Sequence, residues 1–555
     1  MRFETGQEFW CGERIGRCTI PLMTNHPFKI GIERGQASFL PPRIDDYVAQ
    51  DNPVRAIETY VGSLDMAKLG FRHADKGGGP GQPPYDPADL LKLYLYGYMN
   101  RVRSTRRLAH EAQCNVEVMW LLKGLRPRYR AIGDFRKDNR NALKAVNRHF
   151  VSLAAELNLL GGELVAIDGA FFDGAASKGS IVTGKRLTEH LAAVERDIEA
   201  YEAALDASDT AEAGLVEEPT GEDVAGKMAA LLEQRARITA DLAKLEESGE
   251  TQLSRTDPDA RLLSKRGQVV AGYNVQIAVD DKHKLIVASE VVNDGNDTSQ
   301  LHAMALAAKE SLGVEMLQAT ADGGYYNGDE LRACEADAIV AYVPEADKNN
   351  RLAKQGRFTL KEFSYDAEQD VYHCPAGAEL RPMEGYKEDA GGKLHVRYAA
   401  LQSVCSKCPL RSRCLTDKAR RREVHRWQHQ EVIDRHRARM AQPEAKIIMR
   451  RRAALAEHPF GTLKCRAGYR HFLLRGFDKV RGEWTLMALC YNFSRVLSIL
   501  GPDGFLAYLA ERRPRCAKLL FKLVSDLASR LCLTVQTSWA RVCRNSAATR
   551  LAVWC

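Results

Sequence analysis

The stretch "LVAIDGAFF" (164–172) puts a carboxylate, Asp168, inside an apolar, extended run where one more Val or Ile would serve. Burying an acid costs desolvation energy unless positive charge sits beside it. Asp168 therefore reads either as a structural cap with a partner or as a metal ligand. "LQATADGGYYNG" (317–328) repeats the pattern: Asp322 ends an apolar stretch, and Gly323 and Gly324 let the backbone turn sharply beside it. Two strand-terminal aspartates on neighbouring strands would bring hard oxygen ligands to Mg²⁺ or Mn²⁺; their bland alternative is a pair of turn caps. For a third acid the downstream candidates are Glu423, Glu431, Asp434, Glu444 and Glu457. Glu457 stands apart because "MRRRAALAEHPFGTLKCR" (449–466) surrounds it with cations that favour its ionised form and can hold a phosphate chain. A second constellation is Cys374, Cys405, Cys408 and Cys414, in "YHCPAGAELRP" and "CSKCPLRSRC". Four thiols in a short window, two in a CxxC turn, can supply the sulfur set of a structural Zn²⁺; the alternative is buried free thiols.

The chain has 555 residues, 27% charged and 45% hydrophobic, room for two to four domains with real cores. No apolar run is long enough to span a bilayer and "MRFETGQEFWCGERIGRC" lacks a signal-peptide core, so the expectation is a cytoplasmic, nucleoid-associated protein. In that compartment the 14 cysteines read as reduced thiols or metal ligands. Net charge is +8, but its distribution says more: cations crowd into "RVRSTRR", "KGLRPRYR", "KARRR", "RHRAR" and the segment around Glu457. Such runs are usually solvated faces, yet several over two regions favour an extended polyanion as partner. Arg101, Arg103, Arg106, Arg107, Arg128 and Arg130, with Arg420, Arg421 and Arg422, are the candidate phosphate contacts.

The elements that must position these groups follow from periodicity. Residues 1–38 read as a loose arm, and 39–157 as an all-helical domain whose short helices and basic turns are compatible with a helix-turn-helix type DNA-binding module. Asp86 is placed as an N-cap with Pro87 at the first helical position, and Ser104 can cap the next helix. Strand-like segments at 164–172, 272–281 and 284–294, a helix opened by Asp297 with Gln300 three residues on, then strand, loop, helix and strand over 314–344 describe an α/β core with a mixed sheet. The core spans 158–345 and 425–500. Inside it, Leu187, Leu191, Val194, Ile198, Tyr201 and Leu205, then Leu231, Ile238 and Leu245, predict a helical-hairpin insertion over 185–250. A Cys-rich basic insertion covers 346–424, and 501–555 is a basic tail. Pro459 predicts a helix end or break after His458.

Taken in order, "YDPADLLKLYLYGYMNRVRSTRRLAHEAQCNVEVMWL", "LVAIDGAFF", "GYNVQIAVDDKHKLIVASEVVNDGNDTSQL", "ADGGYYNGDELRACE" and "EHPFGTLK" resemble the transposases of bacterial insertion sequences, of the insertion sequence 1182 family. The resemblance runs from about residue 38 to about 500. It implies a DDE transposase with a ribonuclease-H-like catalytic core, Asp168, Asp322 and Glu457 as metal-binding acids, and two Mg²⁺ (or Mn²⁺) ions. It also implies DNA as partner, both terminal inverted repeats and target, bound by a homodimer or higher oligomer. Lys464, seven residues after Glu457, resembles the lysine of the related tyrosine, arginine, glutamate, lysine signature, with Arg452 as its basic member; Met449 stands where the tyrosine is sought. Rival readings are a relic that only binds DNA and a metal-dependent nuclease that cuts without joining.

Overall fold

The helices at the start of the chain follow the punctuation of the sequence. They are α1 (Pro53–Gly62), α2 (Pro87–Met99), α3 (Thr105–Cys114), α4 (Val116–Leu121), α5 (Tyr129–Asp138) and α6 (Arg140–Glu156). The Asp86 carboxylate accepts the Ala88 N–H at 2.8 Å, with Pro87 opening α2. Ser104 stands at the N-cap of α3, but its hydroxyl makes no capping bond. Leu90 to Leu95 of α2 are buried in an unbroken run, so α2 is a central helix with its neighbours packed around it. The computed structural model describes residues 43–74, 83–211, 221–265, 267–345, 353–389 and 391–512, with backbone alone at 204–211 and 221–225. The arm expected at 1–38 and most of the tail lie outside the described residues. Contacts divide the chain after Tyr47, and the described part of the first unit is a 3₁₀ turn, Ile44–Tyr47, in which the Asp46 carboxylate accepts the Arg43 N–H.

The strands that follow are β1 (Leu164–Asp173), β2 (Ile181–Thr183), β3 (Gln252–Ser254), β4 (Arg261–Lys265), β5 (Gln268–Asp280) and β6 (Ile286–Val292). Between β2 and β3 run α7 (Gly184–Ala211) and α8 (Gly221–Ser248), joined along Leu187, Val194, Ile198, Ile238 and Leu245. Then come α9 (Leu301–Leu312), β7 (Leu317–Thr320), α10 (Gly328–Ala336) and β8 (Ile339–Tyr342). The main sheet runs β4-β5-β1-β7-β8, with β6 also pairing β5. β5 is antiparallel to β1, β4 and β6, whereas β7 runs parallel to β1 and β8 parallel to β7, so the sheet is mixed. Helices α1 to α6 share one hydrophobic core with this sheet, so the helical region and the strands are packed as one body.

A second, five-stranded antiparallel sheet follows: β9 (Ser364–Asp366), β10 (Val371–His373), β11 (Glu379–Glu388), β12 (Leu394–Ala399) and β13 (Glu423–Trp427), in the order β13-β12-β11-β10-β9. It has its own core around Phe358, Phe363, Tyr372, Leu380 and Tyr398. The described residues close with α11 (Gln430–Met440), α12 (Pro443–Gly461) and α13, helical over 477–512. Pro459 does not end α12 at His458. Its ring is buried two residues from the helix end, where the missing N–H costs at most one ladder bond, and the helix continues into a π turn, Thr462–Arg466.

Candidate active site

Asp168 lies in the middle of β1, not at its end as the sequence suggests. The neighbouring strand explains why the position still behaves as a terminus: β7 pairs with β1 only as far as Ala166 opposite Thr320. Asp168 and Asp322 each lie two residues beyond that last pair, so the parallel register brings them side by side where the sheet opens. Ala166, on the same face of β1 as Asp168, packs against Leu455 and Ala456 of α12, which carries Glu457 over this face. A cavity of about 440 Å³ is lined by Asp168, Asp322, Glu457, Arg452 and Lys464 together. All five residues singled out for chemistry therefore meet in one place.

Three acids and three cations, Lys265, Arg452 and Lys464, line the cavity, and burial dominates the electrostatics of its central acid. Burial pushes the Asp168 carboxyl up to about 6; the Gly169 N–H and the charge of Lys265 oppose this, and the charge of Asp322 adds to it. The Gly169 N–H donates to Asp168 Oδ1 at 2.9 Å, and the Gly324 N–H to Asp322 Oδ1 at 2.8 Å. Lys464, on the π turn, donates to the Phe171 carbonyl and sits 4.3 Å from the Phe172 ring centroid. Burial lowers its pKa to about 8, with Asp173 and Asp168 pulling the other way. Glu457 is exposed at the rim.

Two residues of the site escape sequence reasoning. Lys265, at the end of β4, lines the cavity and pairs with Asp297 at 3.0 Å. Asp297 reads in sequence as a helix cap, but α9 starts after Gln300 and has no side-chain cap. The Asp297 carboxylate is instead buried and accepts the Asn274 and Gln276 side-chain amides, each at 2.8 Å. Tyr325, three residues after Asp322, donates its hydroxyl to Gln276. The only signal in the sequence is two amides, Asn274 and Gln276, in an otherwise apolar strand.

The candidate DNA contacts divide. Arg101, Arg106, Arg107, Arg128, Arg130 and Arg420 are exposed, with Arg106 and Arg130 lying over the Tyr129 ring. Arg103 is a correction: it is 8% exposed, stacks on Tyr469 and reaches Glu483 at 3.4 Å and the His471 carbonyl at 2.8 Å. Glu483 is fully buried and is compensated by Arg136 and Arg103 together, so Arg103 is a structural cation rather than a phosphate contact. Arg421 pairs with Glu423, and Arg422 is half-buried, bonded to the Cys414 and Phe358 carbonyls.

Cys374, Cys405, Cys408 and Cys414 do gather, lining an apolar pocket of about 220 Å³ as free thiols. Burial raises the Cys414 thiol, with Arg422 opposing and the other three sulfurs adding to the rise. Among the described residues no group of three or more His, Cys, Asp or Glu side chains stands where it could hold a metal ion. The four thiols, a possible zinc set in the sequence, therefore gather around one pocket without closing into such a group, and Cys374, Cys405 and Cys414 pack with the second sheet's core. The three acids likewise share a cavity without closing into such a group.

No helix among the described residues is long and apolar enough to cross a membrane. No curated protein matches the chain. Among solved structures, a cryo-EM structure of the piggyBac transposase synaptic complex with hairpin DNA aligns over 83% of this chain and 79% of that one, at 8% identity and a TM-score of 0.29, a likeness too loose to carry an argument. Two family profiles match: "Transposase domain (DUF772)" over residues 42–138, which takes in α1 to α5, and "Transposase DDE domain" over residues 373–497, which takes in Arg452, Glu457 and Lys464. These two matches, on the helical region and on the helix that brings the third acid to the cavity, support a DDE transposase.

Proposed function

We propose that the chain is an insertion-sequence transposase of the 1182 family. In this reading it binds the terminal inverted repeats of its element, cleaves DNA at the ends and joins the 3′-OH ends to target DNA, acting as a homodimer or higher oligomer. The observation that carries the reading is the meeting of Asp168, Asp322, Glu457, Arg452 and Lys464 around one cavity, from three separate stretches of the chain. The mixed sheet supports a ribonuclease-H-like core, since the antiparallel strands β1, β4, β5 and β6 are followed by the parallel β7 and β8 and the first acid sits on the central strand.

The residues that would hold Mg²⁺ or Mn²⁺ are Asp168, Asp322 and Glu457, whose carboxylate oxygens are the hard ligands such ions take. The raised proton affinity of Asp168 fits this role, because a buried carboxyl beside a second acid favours a nearby cation. When bound, such ions supply Lewis-acid activation of the attacking oxygen and stabilisation of the leaving one. The chain's own part is positioning: the β1 and β7 register sets the two aspartates, α12 brings Glu457, and Arg452 and Lys464 offer charge to a phosphate. Lys464, held at a lowered pKa over an aromatic ring, can also hand a proton to a leaving oxygen.

A strand-transfer assay decides between this reading and a nuclease or an inactive relic. Purified protein, Mg²⁺ and a DNA carrying the sequences that flank the gene should yield products covalently joined to a second DNA. Cleavage without joining would favour the nuclease, and binding without either would favour the relic.

A further inference from the structure

Helix α12 and the π turn after it line two cavities. One takes Glu457 and Lys464; the other, of about 230 Å³, takes their chain neighbours His458 and Arg466 and is closed by Arg101 and Arg495. This second cavity is positive: three guanidinium groups line it and no carboxylate does. Among the described residues no hydrogen bond or ion pair engages the Arg101 or Arg466 guanidinium, and Arg495 spends only its Nε, on the His283 carbonyl at 3.0 Å. Thr462, Ser494 and Ser498 add hydroxyl donors to the same walls. Arg101 holds a left-handed backbone, φ 62°, which costs energy for a residue with a side chain and needs a local reason.

Three arginine forks and three hydroxyls with no acid match the oxygens of a phosphate. We propose that this cavity binds a backbone phosphate of the DNA strand whose reacting linkage lies in the acidic cavity on the other side of α12. The inference rests on the transposase reading for the identity of the strand. Helix α12 then serves twice over, because the same two turns that present the catalytic acid also fix the strand's register against it.

The test uses the full-length protein and a labelled DNA duplex titrated over a salt series. Arg466→Gln should flatten the dependence of log affinity on log salt by about one unit, and weaken binding on the order of tenfold at low salt. Arg466→Lys should retain most of the slope. Ser498→Asp removes no arginine and should still weaken binding by adding a negative charge at the rim, whereas Arg186→Gln, exposed on α7, should change neither quantity. A single uncharged methylphosphonate linkage moved along the strand should find one position at which wild type loses its advantage over Arg466→Gln. Wild-type slope and affinity in both Arg466→Gln and Ser498→Asp overturn the proposal, and the lack of any sensitive linkage assigns the cavity to free phosphate and overturns it too. Mg²⁺-dependent cleavage is read in the same samples, so failure of the transposase reading shows as absent chemistry and failure of this inference as an unchanged salt slope.

Discussion

Lys265 Nζ lies 3.0 Å from Asp297 Oδ2, and this pair ties a cation that lines the cavity of the three acids to a buried carboxylate held by β5. Asp297 is buried and also receives two amides from β5, so it forms a hub under both aspartates. Asp297→Ala should strand Lys265, leave the Gln276 NH₂ without an acceptor and leave the Asn274 NH₂ with only the Asp294 carbonyl at 3.2 Å. The expected cost is roughly 2 to 4 kcal/mol of stability, with DNA cleavage lost although Asp297 is none of the three acids. Denaturant unfolding with a parallel cleavage assay checks this; wild-type cleavage in a folded Asp297→Ala protein would remove the hub from the mechanism.

Gly169 follows Asp168 because the space a side chain would fill is already taken. A Cβ there would fall 2.8 Å from Asp297 Oδ1 and 3.1 Å from Asn274 Oδ1, and closer still to Gln276 Nε2. Gly169→Ala should therefore destabilise the protein by about 1 to 3 kcal/mol through overpacking, and reduce cleavage by shifting Asp168. A neutral effect on unfolding would mean that the hub yields easily and does not fix the acid.

Much of this site is legible in the chain, for reasons that differ residue by residue. Asp168 and Asp322 show because an acid in an apolar strand has few innocent explanations. Glu457 shows only through its basic context and a resemblance, since a glutamate on a polar helix is ordinary. Asp297 misleads because a local pattern, an acid three residues before Gln300, points to a cap, while its true partners sit 21 and 23 residues upstream. Arg103 misleads for the same reason at longer range: it looks like its neighbours in a basic run, but its partner Glu483 is 380 residues away. Periodicity reports which face of an element is buried, and it is silent on which polar groups meet across the fold.

The buried pair of Arg103 and Glu483 can be tested directly. Without Arg103, Glu483 keeps the charge of Arg136 and the Leu473 and Leu474 N–H groups but loses a buried charged partner, so Arg103→Ala should cost about 1.5 to 3 kcal/mol. Arg107→Ala, exposed on α3, should leave unfolding unchanged and instead flatten the salt dependence of DNA binding by about one unit. The opposite pattern would return Arg103 to the DNA-contact set.

Acid sensitivity should trace in part to His436. It is 2% exposed on α11 beside Tyr326, neither ring nitrogen has a hydrogen-bond partner among the described residues, and burial, followed by the charge of Arg439, pushes its pKa down to about 4. Arg437 adds to that fall, whereas Glu335 and Glu345 oppose it. The unfolded chain binds the proton more readily, so the stability of the neutral ring is present above about pH 6.5 and is lost as pH falls towards 4, by roughly 3 kcal/mol. His436→Leu should flatten the pH dependence of the unfolding midpoint in that window; an unchanged profile would show that other groups carry it.

The proposed chemistry requires Asp168, Asp322 and Glu457 to act together on DNA. The decisive comparison sets wild type against Asp168→Asn in Mg²⁺-dependent cleavage of DNA carrying the element's ends, with binding to the same DNA measured alongside. Cleavage should fall by on the order of a hundredfold or more while affinity holds and the fold is at least as stable, because the substitution keeps the shape and removes a buried charge. Cleavage by Asp168→Asn at the wild-type rate would show that the three acids are not the catalytic set.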